Sequence, residues 1–224
     1  MSKLSTKNIK VNEGESSIPK QLLPGNELCL INSIELRDSR FNAGEIDVIL
    51  HLEGPALVGE FVGFFIDKDD PEKGNYKGQI GRVRASFWSY KDGITKGGIE
   101  IKRDDEIMKL IKQLCDAMKI SAWFDAQDDK HDTIQQLVDA FNNEKPSAGK
   151  PLHFCIAGKE YLNKKGYKDY DLFLPKFTKT SKPFTNDSTK VTVFDAVDHI
   201  IKPKVAKAVE SFDVESTSGS DFDL

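Results

Sequence analysis

The stretch that decides the fold is GQIGRVRASFWSY, Gly78 to Tyr90. Side chains on a strand alternate between its two faces. The run therefore reads as one long strand, with Val83, Ala85 and Phe87 on one face and Arg82, Arg84, Ser86, Trp88 and Tyr90 on the other. The first face belongs to a core; the second is cationic and aromatic.

Upstream, EIDVILHL places Ile46, Val48, Leu50 and Leu52 on one side, a strand with a single inward face. Before it, ELCLINSIEL (residues 27–36) suits a buried strand, and Arg37 to Gly44 turns the chain. Between these strands and the opening stretch lies LVGEFVGFFI (residues 57–66), a further strand whose Gly59 and Gly63 mark a bulge or barrel corner, followed by an exposed loop over 67–78. Downstream, Asp92-Gly93 followed by GITKGGIEI reads as a hairpin return.

From Asp104 to Met118 the period changes. Ile107, Leu110, Ile111, Leu114 and Met118 recur every three or four residues, which predicts an amphipathic helix, and a second, shorter helix fits Asp132 to Phe141. Strands resume with PLHFCIAG and, after a turn around Asn163 to Gly166, YKDYDLFLP. Strands, a helical insertion at about 103–145, then two more strands predict a mainly β fold. An OB-like antiparallel barrel fits this order better than a parallel α/β sheet, which needs regular strand–helix alternation; other antiparallel barrels and α+β sheets stay open.

Around the barrel, assigned to residues 25–175, the composition sets three further regions. Residues 1–24 read as a flexible arm, 176–209 as a basic Ser/Thr-rich linker with a short apolar segment, and 210–224 as a disordered acidic tail. The chain of 224 residues has a formal charge of −4, but Glu210, Asp213, Glu215, Asp221 and Asp223 lie in the tail without a Lys or Arg, so the remainder carries +1. The body is neutral to slightly basic, and a polyanionic partner is compatible with it.

Several function classes find no support. No apolar run approaches the roughly 18–20 residues of a membrane span, and the N-terminus lacks the apolar core of a signal peptide, so a cytoplasmic protein without a membrane partner is expected. Cys29, Cys115 and Cys155 sit far apart in apolar runs and read as reduced core thiols; His51, His131, His153 and His199 show no metal-ligand spacing. The loop with Asp67, Asp69, Asp70 and Glu72 fails the calcium pattern at Pro71 and Lys73. Phosphate-loop, dinucleotide-binding, nucleophile-elbow and zincin motifs do not occur, so neither cofactor nor metal nor catalytic residue is assigned and a non-enzyme is expected. Glu100, Asp104 and Asp105 would be the carboxylates of a metal-dependent nuclease, although acidic residues are ordinary at a helix N-terminus.

The positive signal is a pair of cation–aromatic patches. Arg82 and Arg84 can neutralise phosphates while Trp88 and Tyr90 stack bases, each stacked base contributing roughly 1–3 kcal/mol. A second patch, Lys159, Tyr161, Lys164, Lys165, Tyr167 and Lys168, lies in and beside the hairpin GKEYLNKKGYKDY. The structural alternative is that Trp88 and Tyr90 pack under the helical insertion and the cations are ordinary surface charges. At the tail's tip, Asp221, Phe222, Asp223 and Leu224 hold two apolar side chains between carboxylates, suited to a basic-rimmed pocket on a partner protein or to competing with nucleic acid for the protein's own basic groove; the alternative is a solubilising tail without a partner.

An OB-like barrel, a cation–aromatic strand face, a basic linker and an acidic tail ending in Ser-Asp-Phe-Asp-Leu together resemble the single-stranded DNA-binding proteins of bacteria and their phages. The resemblance implies a barrel that binds single-stranded DNA without sequence preference, and a tip that recruits replication and repair proteins. The tip closes in Leu224 rather than in the Ile-Pro-Phe usual in bacteria, and the insertion is larger than a bacterial barrel needs, which brings the chain nearer to the more variable phage proteins. The rival expectation is a virion structural or assembly protein using the same strip as a protein interface, since Tyr, Trp and Arg are also enriched at interface hot spots.

Overall fold

The computed structural model describes residues 22–40, 42–54, 80–164 and 166–203. The expected strand over 57–66, the loop 67–78, most of the N-terminal arm and the whole acidic tail, including Asp221, Phe222, Asp223 and Leu224, lie outside the described residues, as does Lys165.

The strands are β1 (Gly25–Asp38), β2 (Ile46–Glu53), β3 (Ile80–Arg84), β4 (Gly93–Ile94), β5 (Glu100–Ile101), β6 (Leu152–Leu162), β7 (Lys168–Phe173), β8 (Phe184–Thr185) and β9 (Ile200–Ile201). Between β5 and β6 stand helices α1 (Arg103–Ala117), α2 (Ser121–Asp125) and α3 (Ile134–Glu144), and α4 (Ala196–His199) precedes β9. Strands β1, β2, β3, β7 and β6 hydrogen-bond in that order, and β6 returns to β1, which closes a five-stranded barrel. The fold is mainly β, an OB-like barrel with a helical insertion. It is mixed rather than wholly antiparallel, because β3 and β7 run parallel where they meet at Arg84 and Phe173.

One long strand makes the closure possible. The first part of β1, Gly25 to Cys29, pairs with β6, whereas Leu30 to Asp38 pair with β2. A register shift between Ile31 and Ser33 follows just after the change of partner, as expected of a bulge that bends a strand between two neighbours. Beyond that shift the helical layer meets β1. Asn142 of α3 donates to the Ile34 carbonyl and accepts from the Ile34 N–H, each at 2.8 Å, and Ser147 donates to the Ile31 carbonyl at 2.9 Å. These bonds satisfy backbone groups that would otherwise be buried unpaired.

The core is continuous from barrel to insertion. Leu50, Leu52, Val83, Phe154 and Ile156 of the barrel join Ile107, Ile111, Leu114, Val138 and Phe141 of the helices in one buried cluster. Helix α1 starts with Asp104, Asp105 and Glu106 in its first turn, which complements the positive end of its dipole. Helix α3 is capped by Thr133, whose hydroxyl accepts from the Gln136 N–H. Cys29, Cys115 and Cys155 are free and buried, and burial raises all three thiols above their usual range, Cys115 to about 12 and Cys155 to about 11.

Four sequence expectations are corrected. The strand opening at Gly78 does not reach Tyr90: β3 ends at Arg84 and residues 85–88 bend. The return expected at Asp92-Gly93 is a separate small hairpin, β4 with β5, turned at Lys96–Gly98, where Gly98 supplies φ +80°. The 176–190 segment, read as a linker from its polar composition, packs on the barrel: β8 pairs with β6, and Phe184 is buried beside Phe154 and Phe177. Two phenylalanines among many Ser, Thr and Lys residues anchor it. The arm is likewise shorter than expected, since Leu22 is buried against Gly81, where a Cβ would meet the Leu22 side chain at 2.6 Å.

Candidate nucleic-acid interface

Because β1, β2 and β3 are adjacent, their outward side chains form cross-strand rows. Arg37 stands opposite Asp47; Glu35, Ile49 and Arg84 form the next row; Ser33, His51 and Arg82 the next. Beyond β3, strands β7 and β6 add Asp171, Lys159 and Tyr161. The rows line a groove of about 750 Å³ bounded by Arg37, Arg40, Arg82, Arg84, Lys159, Tyr161, Tyr170 and Asp171. Ile49, 2% exposed and outside the barrel's core cluster, gives it an apolar floor.

Most of the groove's cations already have partners. Arg82 bonds Glu35 at 2.8 Å, Arg37 bonds Asp47 at 3.1 Å, and Arg84 bonds Asp171 at 3.0 Å. Glu35 also meets His51 Nε2 at 2.8 Å. Burial opposes ionisation of Glu35, but the hydrogen bonds from His51 and Arg82 and their charges outweigh it and hold the carboxyl below its ordinary range. Among the described residues no carboxylate pairs with Arg40 or Lys159. The buried Nε–H groups of Arg37 and Arg84 likewise have no acceptor there.

Arg84 is the most enclosed of these arginines, with 14% of its side chain exposed. It donates to the Phe87 carbonyl at 2.8 Å, and its guanidinium carbon lies 5.7 Å from the Phe87 ring centroid and 6.0 Å from that of Phe173. The adjoining Trp88, 75% exposed, meets the Phe87 ring edge-on at 4.8 Å. Aromatic carbon thus continues from the groove wall onto an open indole.

The structure brings Arg82, Arg84, Lys159 and Tyr161 into one groove, with Trp88 attached through Phe87. Tyr90 does not join them. It is half-buried against the core, its backbone exchanges both hydrogen bonds with Ile46, and burial first and the charge of Glu106 second push its phenol up to about 12. The bend after Arg84 breaks the alternation that would have kept it beside Trp88. Lys164, Tyr167 and Lys168 are exposed at the turn and start of the β6–β7 hairpin, outside the groove lining, and Lys168 pairs with Glu160 at 3.3 Å.

Sequence reasoning missed Arg37, Arg40 and Tyr170. Arg37 and Arg40 stood in a segment read as a turn, although Ser33, Glu35 and Arg37 continue the alternation of β1 and were a usable signal. As for the nuclease carboxylates, Asp104 accepts from Arg103 Nε at 2.8 Å and Glu100 is exposed on β5. Among the described residues no cluster of three or more His, Cys, Asp or Glu could hold a metal, and no helix is long and apolar enough to cross a membrane. Comparison with protein families, curated proteins and solved structures finds no match.

Proposed function

We propose that this protein is a non-enzymatic, sequence-nonspecific single-stranded DNA-binding protein of DNA replication or recombination, of the kind that bacteria and their phages use. The observation that carries the reading is the groove itself. Five cations line one groove across the outer side of an OB-like barrel, Arg82 and Arg84 on β3, Arg37 on β1, Arg40 in the β1–β2 loop and Lys159 on β6, with Tyr161 beside them and an exposed tryptophan next to Phe87. On barrels of this type the same face and the loops after the first and fourth barrel strands bind oligonucleotides. Here those loops hold Arg40 and the hairpin turn with Lys164.

In the proposed mode Arg40 and Lys159 meet phosphates directly. Arg37, Arg82 and Arg84 exchange or share their carboxylates with phosphate oxygens, and Trp88 and Tyr161 stack bases. The acidic tip, Asp221 to Leu224, recruits partner proteins. The test is fluorescence anisotropy of a labelled oligo-dT at low and moderate salt, comparing the full chain with Arg40→Gln/Lys159→Gln. The expected result is binding that weakens steeply with salt and drops in the variant. Absence of binding at low salt, or binding indifferent to salt, overturns the reading.

One observation favours the second reading, an assembly protein that uses the strip as a protein interface. Three of the five groove cations are already neutralised, and the tryptophan is open. Purification as a large salt-resistant assembly without nucleic acid would be its signature.

A further inference from the structure

A second cleft, of about 640 Å³, lies where the carboxyl end of α1 (Ala117, Met118, Lys119), the entry to β6 (Lys150, Pro151, His153) and the 186–190 turn converge. Three lysines line it: Lys119, Lys150 and Lys190. Its one carboxylate, Asp187, is occupied. It accepts from Thr189 N and Oγ1 and from Lys190 Nζ at 2.8 Å, which fixes the turn with Asn186 and Ser188 exposed at the cleft. No acidic group pairs with Lys119 or Lys150 among the described residues. The carbonyl end of α1 presents about half a negative charge, which three full positive charges less one carboxylate exceed. Lys119 is held at the rim by a left-handed backbone, φ 58°, with its N–H on the Asp116 carbonyl.

We infer that this cleft is a second phosphate-binding site, separate from the groove, that holds the backbone of a single strand beyond its groove-bound part. Cations beside neutral amide and hydroxyl groups, on a concave surface with little apolar lining, suit a phosphate oxyanion better than a base or an apolar peptide. Parity along β6 places His153 of the cleft and Lys159 of the groove on the same side of that strand, six residues and so about 20 Å apart. At the other end of α1 a cleft carries Asp104, Asp125, Asp128, Asp129 and Asp132 and repels a polyanion. The cationic cleft is therefore the side toward which a bound strand leaves. This inference rests on the groove's binding single strands.

The experiment has two arms. In the first, oligo-dT of about 6 and about 16 nucleotides, spanning the footprints of such barrels, is titrated across a salt series onto the full chain and Lys119→Gln/Lys150→Gln. The short oligonucleotide should bind both equally. For the long one, loss of two contacts should reduce the salt slope by about 1.4. An unchanged slope on the long oligonucleotide, or equal losses on both lengths, overturns the proposal. In the second arm, inorganic tripolyphosphate is titrated calorimetrically onto the wild type, the cleft variant and the groove variant Arg40→Gln/Lys159→Gln. Binding lost only in the cleft variant supports the site even where no oligonucleotide binds, an outcome that would remove the groove reading alone. Binding lost only in the groove variant, or no binding by the wild type, counts against the cleft.

Discussion

Asp171→Asn tests whether the groove's arginines are held in reserve by its own carboxylates. Asp171 is 54% exposed and holds Arg84, 14% exposed, through a single 3.0 Å contact. An ion pair this open contributes about 0.2–1 kcal/mol to stability, so the variant should melt within a few degrees of the wild type. Its effect on binding should be larger and opposite in sign. A phosphate within about 4 Å of the carboxylate is repelled by about 1 kcal/mol at the dielectric of water. Removing the charge should therefore tighten oligo-dT binding roughly fivefold at low salt, since about 1.4 kcal/mol is tenfold. The freed Arg84 should also steepen the salt dependence by about 0.7 in log–log slope. The measurement is anisotropy at four or more salt concentrations with thermal melts in parallel. A variant that is equally stable but binds no more tightly, or more weakly, would refute the claim that phosphate displaces Asp171 from Arg84.

Other outcomes follow from the same geometry. Trp88→Ala should cost about 1–3 kcal/mol of binding and leave stability unchanged, because the indole is mostly in solvent. Tyr90→Ala should do the reverse, lowering stability by about 2–3 kcal/mol with little specific effect on binding, which urea unfolding and anisotropy together would separate. Glu27 has its carboxyl raised by burial to about 7 from 4.5. Its proton is retained on folding, so its stabilising contribution is complete below about pH 4.5 and is lost as pH rises through 7. Glu27→Gln should then be more stable than the wild type at pH 8 by about 1–2 kcal/mol, allowing for partial exposure, with no advantage at pH 4 in denaturant titrations. Phe184→Ala should cost about 3 kcal/mol in a chemical melt, because the ring anchors the 176–203 segment onto β6.

The barrel was legible because two signals agreed. Alternation in EIDVILHL and around Val83 marked faces that are indeed buried, and the change to a three-to-four period at Ile107 marked the insertion. What was not legible came from geometry that periodicity does not carry. The bend after Arg84 turned Tyr90 inward, and nothing in a one-dimensional alternation announces where a strand stops. That Arg37 at the end of β1 and Arg40 in the loop after it share a groove with Arg82 and Arg84 depends on register, which is fixed by the β1 bulge and by the pairing of β2 between its neighbours. The same registers decide which carboxylates fall beside which arginines, so the groove's internal pairing was invisible even where its cations were not. Residues 176–190 misled by composition, since two aromatic side chains were enough to dock a segment rich in Ser, Thr and Lys.

The seam between β3 and β7 is short, one residue pair at Arg84 and Phe173 with one further bond from the Leu174 N–H to the Arg84 carbonyl at 2.8 Å. Every other junction around the barrel is longer, and this one crosses the groove. A ligand reaching from Arg82 and Arg84 on one side to Lys159 and Tyr161 on the other acts as a staple over the cylinder's thinnest join. Occupancy of the groove and mechanical closure of the barrel are then one equilibrium seen from two ends. Ligand should slow amide exchange at Leu174 more than at Leu50, and any change that loosens the join should weaken the grip of the groove.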